Sequence, residues 1–96
     1  MKLLMIIFNF AIRDKIEACL NDCELKSYTL IPEVHGSGKS SGKHFESHIW
    51  PGKNNIIMIA LPDQTFKELK PKLQAVKEKY KTEGMKFFLI PLEEII

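Results

Sequence analysis

Two segments of this chain are apolar at almost every position, and this feature most limits the folds open to it. One covers residues 3–10 and the other covers residues 55–61. Successive side chains of a β-strand point to opposite faces of the sheet, so each segment makes both faces apolar. An antiparallel sheet with one face in water usually alternates apolar and polar residues. These segments therefore predict a sheet that is covered on both sides.

The other apolar residues complete a six-element pattern. Apolar residues three or four positions apart predict helices over residues 11–23 and 63–81. Two more apolar runs predict strands over residues 25–34 and 85–92. The resulting order, β-α-β-β-α-β, is that of an α+β, ferredoxin-like fold with one antiparallel sheet. With 96 residues, the chain has the length of a single domain, and we expect residues 1–96 to form one.

The prolines predict which strands lie at the edges of that sheet. Proline lacks a backbone N–H and is confined to edge strands, bulges and strand ends. Pro32 falls in the second predicted strand and Pro91 in the fourth, whereas the first and third contain none. This distribution fits the strand order 4-1-3-2. Pro71 falls inside the second predicted helix, which it either kinks or restarts as a first-turn residue.

The doubly apolar strands also predict self-association. In this fold both helices cover the same face of the sheet, and the other face is left bare. Burial contributes roughly 25 cal/mol per Å² of apolar surface, so leaving that face in water would cost several kcal/mol per subunit. We therefore predict a homo-oligomer packed through its sheets.

Composition and charge exclude several classes of protein. The net charge of +2 is too small to favour a nucleic-acid partner, and the lysines of the second helix are mixed with glutamates. We find no apolar run long enough to span a membrane and no signal-peptide cleavage pattern, so we expect a cytoplasmic protein.

Cys19 and Cys23 share the apolar face of the first helix and are predicted to lie in the core. We find no catalytic arrangement of residues and expect no enzymatic activity.

Residues 35–53 form a long segment without periodicity, which begins "HGSGKSSGKH". It is not a phosphate-binding P-loop, because Glu33 stands where that motif requires its first glycine. Its glycines and lysines still suit an anion-binding nest of backbone amides. Phe45, Ile49 and Trp50 in its second half predict docking on a neighbouring subunit or a partner. The alternative is a flexible extension with no further role.

All three histidines of the chain, His35, His44 and His48, fall in this segment. Histidine is a common metal ligand, and Glu46 or a cysteine could complete a divalent transition-metal site. The alternative is that these histidines are ordinary polar loop residues.

The chain resembles the nitrogen-regulatory PII signal-protein superfamily over nearly its whole length. The opening "MKLLMIIFNFAIRDKIEACLNDCELKSYTL" is similar to the first strand, helix and second strand of PII proteins. "EVHGSGKSSG" resembles the family segment Glu-Val-x-Gly-x-Gly-Arg-x-x-Gly that opens the long T-loop, and "GMKFFLIPLEEII" resembles the closing segment. The resemblance implies a ferredoxin-like homotrimer whose sheets face inward, with a T-loop-like segment at residues 35–53.

The resemblance also implies a ligand site. PII proteins bind nucleotides in clefts between subunits at the base of the T-loop, and loop conformation governs docking onto transporters or enzymes. By similarity, Gly36, Gly38 and Gly42 match glycines beside the nucleotide, and Lys39 stands where the family has arginine. Ile7 matches a first-strand residue that lines the adenine pocket.

The chain departs from the family pattern in three places. The loop is short and lacks a tyrosine, so we do not expect uridylylation. The B-loop before the last strand is reduced to "KTEG", and the chain reaches Ile96 without the basic C-terminal segment, so we do not expect tight ATP binding. The resemblance therefore implies a divergent, non-enzymatic regulatory trimer that senses an adenine nucleotide or a metal ion and controls a transporter or enzyme. The alternative is a metal-binding trimer similar to the CutA-like cation-tolerance proteins.

Overall fold

A computed structural model describes residues 1–35 and 53–96. Its elements follow the predicted order, which confirms the ferredoxin-like α+β fold. The strands are β1 (Lys2–Asn9), β2 (Thr29–Val34), β3 (Asn54–Leu61) and β4 (Met85–Pro91). The helices are α1 (Arg13–Asp22), which follows a short 3-10 turn at Phe10–Ile12, and α2 (Asp63–Lys79).

The four strands form one antiparallel sheet in the order β2-β3-β1-β4. β1 pairs with β3 from Lys2↔Leu61 to Asn9↔Asn54 and with β4 on its other side. Strands β2 and β4 are the edges, as the positions of Pro32 and Pro91 predict.

The second strand begins later than predicted, at Thr29 instead of residue 25. The end of α1 explains the difference. Glu24 has a left-handed backbone (φ 58°), and the amide of Leu25 donates to the carbonyl of Leu20 over 2.9 Å. A left-handed residue and a returning amide are typical of a helix C-terminus. Leu25 therefore belongs to the end of the helix and does not extend the strand.

The first helix also begins later than predicted, because the chain leaves β1 through the 3-10 turn. The side-chain oxygen of Asn9 accepts from the amide of Ala11 over 2.9 Å and caps that turn. Helix α2 runs without a break through Pro71, so this proline does not restart it.

The core lies between the helices and one face of the sheet. Its sheet residues are Leu4, Ile6 and Phe8 of β1 with Ile57, Ile59 and Leu61 of β3. Its helix residues include Ile16, Cys19 and Leu20 of α1 with Phe66, Leu69 and Leu73 of α2. Cys19 is buried as expected, and Cys23 packs against the core while partly exposed. We call this side of the sheet the helix face.

The opposite side of the sheet, which we call the open face, is also apolar. Its central residues are only partly buried, and they include Leu3, Met5 and Ile7 of β1 with Ile56 and Met58 of β3. Toward the edges, Phe88 is 42% exposed, and Ile31 and Ile90 are each 39% exposed. The prediction of a sheet apolar on both sides is therefore confirmed.

None of the helices within residues 1–35 and 53–96 has the length and apolar character needed to cross a bilayer.

Candidate ligand site at the loop end of the sheet

Two described residues that the sequence marks as functional, Ile7 and His35, lie toward one end of the sheet. The C-terminal ends of β1 and β2 meet the N-terminal ends of β3 and β4 there, and we call this the loop end. The amide of Phe10 donates to the carbonyl of Lys53 over 2.9 Å, and the amide of Asn9 donates to the carbonyl of Gly84 over 2.9 Å. These bonds fix the β1–α1 connection, the start of β3 and the α2–β4 turn to one another. Residues 36–52 join β2 to β3 at this end.

Two of the predicted site residues lie in the described part of the chain. Ile7 is a partly buried residue of the open face, and its cross-strand neighbours are Ile56 and Lys86. His35 follows the end of β2 and is exposed. The other predicted residues fall within 36–52, outside the described residues: Gly36, Gly38, Lys39, Gly42, His44, Phe45, His48, Ile49 and Trp50.

Strand β2 carries a β-bulge just before the loop end. Ile31 pairs with Ile56 and Val34 pairs with Asn54, so Pro32 and Glu33 together oppose Asn55. Glu33 has a left-handed backbone (φ 54°), which is uncommon for a residue other than glycine. Its amide donates to Oδ1 of Asn55 over 3.3 Å, and Asn55 is only 4% exposed. The buried amide of Asn55 therefore stabilises the bulge.

The bulge forms one wall of a pocket of about 200 Å³. We call it the loop-end pocket, and it is lined by Phe10, Arg13, Pro32, Glu33, Lys53 and Asn55. The Nζ of Lys53 lies 5.5 Å from the centre of the Phe10 ring, a cation–π contact that positions this lysine at the mouth. Asn55 belongs to the helix-face row of β3, so the pocket and Ile7 lie on opposite sides of the sheet.

Arg13, the only arginine of the chain, is oriented by a small polar network. Its Nε lies 3.3 Å from Oε2 of Glu17, and the same oxygen accepts a 2.7 Å hydrogen bond from the phenol of Tyr28. This hydrogen bond to Glu17 favours the protonated phenol and raises the pKa of Tyr28.

Sequence analysis did not find this pocket. Its residues come from three separate segments, and Glu33 and Asn55 are 22 positions apart. The only local signals were the single arginine and the run of polar residues Lys53, Asn54 and Asn55 at the start of an apolar strand.

The metal-ligating side chains of the described ranges do not cluster. No group of three or more His, Cys, Asp or Glu side chains within residues 1–35 and 53–96 is placed to hold a metal ion. Burial raises the pKa of both the Cys19 and Cys23 thiols, which keeps them protonated at neutral pH.

A family model described as nitrogen regulatory protein P-II matches residues 1–96. No curated protein matches the sequence significantly.

Several solved structures share the fold. CPII, a nitrogen regulatory PII-like protein from Thiomonas intermedia K12, was solved bound to ADP, AMP and bicarbonate. It is 20% identical, with a TM-score of 0.69 over 99% of this chain and 94% of that chain. Its apo form is 18% identical, with a TM-score of 0.65 over 93% and 87% of the two chains. A form bound to ADP and bicarbonate is 23% identical, with a TM-score of 0.67 over 93% and 84%.

Proposed function

Because this chain belongs to the nitrogen regulatory protein P-II family, we propose that it is a non-enzymatic regulator that binds an adenine nucleotide in clefts between its own copies. In this proposal the ligand state is passed through residues 35–53 to a target, which is a membrane transporter or an enzyme. The whole of residues 1–96 acts as one ligand-sensing domain.

The position of Ile7 carries the proposal. Ile7 lies in the last apolar row of the open face before the loop end, between Ile56 and Lys86. In this proposal, a second copy on the open face forms a cleft lined by Ile7 at the loop end. An apolar side chain suits the flat face of an adenine ring, and the ammonium group of Lys86 supplies positive charge beside it.

The exposed apolar area supports association through the open face. Phe88 and Ile90 of β4 and Ile31 of β2 leave about two-fifths of their surfaces in water, and burying them on a second copy is favourable. We propose the homotrimer with inward-facing sheets as the closed arrangement, since a closed ring leaves no copy with a bare face.

The ligand class is supported by the solved relatives of the same fold. CPII was solved with ADP, AMP and bicarbonate, and in another form with ADP and bicarbonate. We assign an adenine nucleotide to this chain on that basis, with Gly36, Gly38, Lys39 and Gly42 as the loop residues beside its phosphates. Phe45, Ile49 and Trp50 are assigned to target docking.

Calorimetric titration of the intact protein with ADP, AMP, ATP and cyclic AMP tests the ligand. We expect ADP or AMP to bind, and we expect Lys39→Gln to weaken that binding about tenfold through loss of a charge-assisted phosphate contact. Lys26→Gln is the matched control, because Lys26 is exposed in the turn after α1, at the opposite end of the sheet.

Parallel titrations with Zn²⁺, Cu²⁺ and Ni²⁺ separate the nucleotide proposal from the metal-binding alternative. Binding of a metal but of no nucleotide, lost in His35→Ala, His44→Ala or His48→Ala, would replace the proposal with the alternative. If neither a nucleotide nor a metal ion binds, the ligand-sensing part of the proposal is wrong, and only an interaction module remains.

A further inference from the structure

The loop-end pocket presents both signs of charge without pairing them. Arg13 and Lys53 contribute positive charge to its lining and Glu33 contributes negative charge. In the described part of the chain, the Glu33 carboxylate forms no ion pair within 4.0 Å with either cation. A simple anion would meet repulsion from Glu33, and a simple cation would meet repulsion from Arg13 and Lys53. A small molecule that carries both charges is complementary to all three groups.

Arg13 is well placed to take a carboxylate. Its contact with Glu17 uses Nε, and the remaining donors of a guanidinium group sit on the two Nη atoms. A guanidinium group and a carboxylate make paired, parallel hydrogen bonds that fix direction as well as charge. Since Tyr28 also holds the Glu17 carboxylate, the orientation of Arg13 does not depend on the ligand.

Glu33 reaches the pocket only because of the bulge. In a regular strand its side chain would follow the alternation of Thr29 and Ile31 onto the open face. The extra residue places it opposite Asn55, on the helix-face side, in a backbone conformation that most residues avoid. Such conformations persist where the surroundings fix them and are often found at functional sites. Here the buried Asn55 is the group that fixes it.

The size and the remaining walls limit the ligand further. The pocket of about 200 Å³ is smaller than the roughly 300–1,000 Å³ typical of sites for drug-sized ligands, so it suits a ligand smaller than a nucleotide. Phe10 and Pro32 add an aromatic and an aliphatic wall, which suit a short apolar side chain.

We infer that the loop-end pocket binds a free α-amino acid in its zwitterionic form, with the carboxylate on Arg13 and the ammonium on Glu33. This site goes beyond the proposed nucleotide function, since it lies on the other side of the sheet from Ile7. It gives the protein a second small-molecule binding site, next to the two strands that residues 36–52 connect.

The first test compares L-leucine with two analogues that each lack one charge. 4-Methylpentanoate lacks the amino group and 3-methylbutylamine lacks the carboxylate. We expect L-leucine to raise the melting temperature and to release or absorb heat in calorimetry, because a ligand of the native state stabilises it. The analogues should bind at least about tenfold more weakly, since each loses a charged hydrogen bond. The other standard L-amino acids are screened in the same way.

The second test uses charge-removing variants with matched controls. Glu33→Gln and Arg13→Gln should each weaken amino-acid binding about tenfold. Glu24→Gln is the control for Glu33, because Glu24 has the same left-handed backbone (φ 58° against 54°) but lies at the end of α1. Lys15→Gln is the control for Arg13, being an exposed cation on the same helix.

The inference is overturned if no standard amino acid binds, or if 4-methylpentanoate binds as tightly as L-leucine, which would make the pocket a simple anion site. Equal losses in Glu33→Gln and Glu24→Gln would also overturn it. ADP is titrated into the same wild-type samples, so absence of amino-acid binding beside intact ADP binding rejects this inference alone. Absence of ADP binding beside amino-acid binding rejects only the nucleotide proposal.

Discussion

The phenol of Tyr28 donates a 2.7 Å hydrogen bond to the carboxylate of Glu17, and this bond ties the segment before β2 to the first turns of α1. Glu17 in turn contacts Arg13 at the loop-end pocket over 3.3 Å. The orientation of Arg13, the only arginine, thus depends on Tyr28, which lies eleven positions after Glu17 in the sequence.

This network predicts a measurable titration. The Glu17 hydrogen bond raises the pKa of Tyr28 above its ordinary value of 10.0. The stability it contributes is therefore present below pH 10 and is lost as the pH rises through the folded-state pKa of Tyr28. We expect Glu17→Gln to lower the pKa of Tyr28 in a phenolate absorbance titration, with Tyr28→Phe identifying its signal against that of Tyr80. An unchanged titration in Glu17→Gln would contradict the contact.

The two faces of β1 predict two kinds of destabilisation in neighbouring residues of the same type. Ile6 is fully buried on the helix face, so Ile6→Ala should lower the free energy of unfolding by about 2–5 kcal/mol through loss of burial and a cavity. Ile7 lies on the open face, so Ile7→Ala should act mainly by weakening self-association. Urea unfolding at two protein concentrations distinguishes them, because the unfolding of an oligomer depends on protein concentration. Ile6→Ala should keep the wild-type dependence, and Ile7→Ala should change it. The same concentration dependence in both variants would argue against the assignment of faces.

Residues Leu89 and Ile90 provide a matched test of assembly. Both are 39% exposed on β4, but they point to opposite faces of the sheet. We expect Ile90→Lys to yield monomers in light scattering, since it places a charge within an apolar interface. Leu89→Lys should retain the oligomer. A wild-type protein that is monomeric at micromolar concentration would refute self-association through the open face.

The left-handed residue at the end of α1 predicts a stabilising substitution. Glu24 has a φ of 58°, a conformation that costs a residue with a Cβ roughly 1–2 kcal/mol and costs glycine little. Glu24→Gly should therefore raise the free energy of unfolding by about 1 kcal/mol. Glu68→Gly, in the interior of α2, should lower it by about 1 kcal/mol because glycine weakens a helix. Thermal unfolding of the two variants should shift in opposite directions, and a loss of stability in both would count against the helix end described above.

Much of the fold could be predicted from local patterns. Strands β1 and β3 carry apolar residues on both faces of the sheet. Pro32 and Pro91 lie in β2 and β4, the two edge strands. These signals suffice because strand faces repeat every two residues and proline cannot donate to an interior strand. The start of β2 could not be placed, because Leu25 looks like a strand residue while its amide completes the end of α1.

The loop-end pocket could not be predicted either, and the reason differs from the one that applies to the start of β2. It depends on one extra residue in β2 and on a bond between Glu33 and Asn55, which are far apart in sequence. Glutamate carries no local signal for a left-handed backbone, and the sequence predicts Asn55 only as the first residue of the third strand. Ile7 was identified through the family resemblance, and it lies on the open face toward the loop end. Its role in binding a ligand stays a prediction.

The apolar character of the open face has a consequence for how the protein is made in the cell. A newly synthesised chain has buried only one side of its sheet. The other side is an exposed apolar surface that can bind other apolar surfaces. If copies associate through the open face as proposed, that association competes with aggregation, and the yield of folded protein depends on the rate of association.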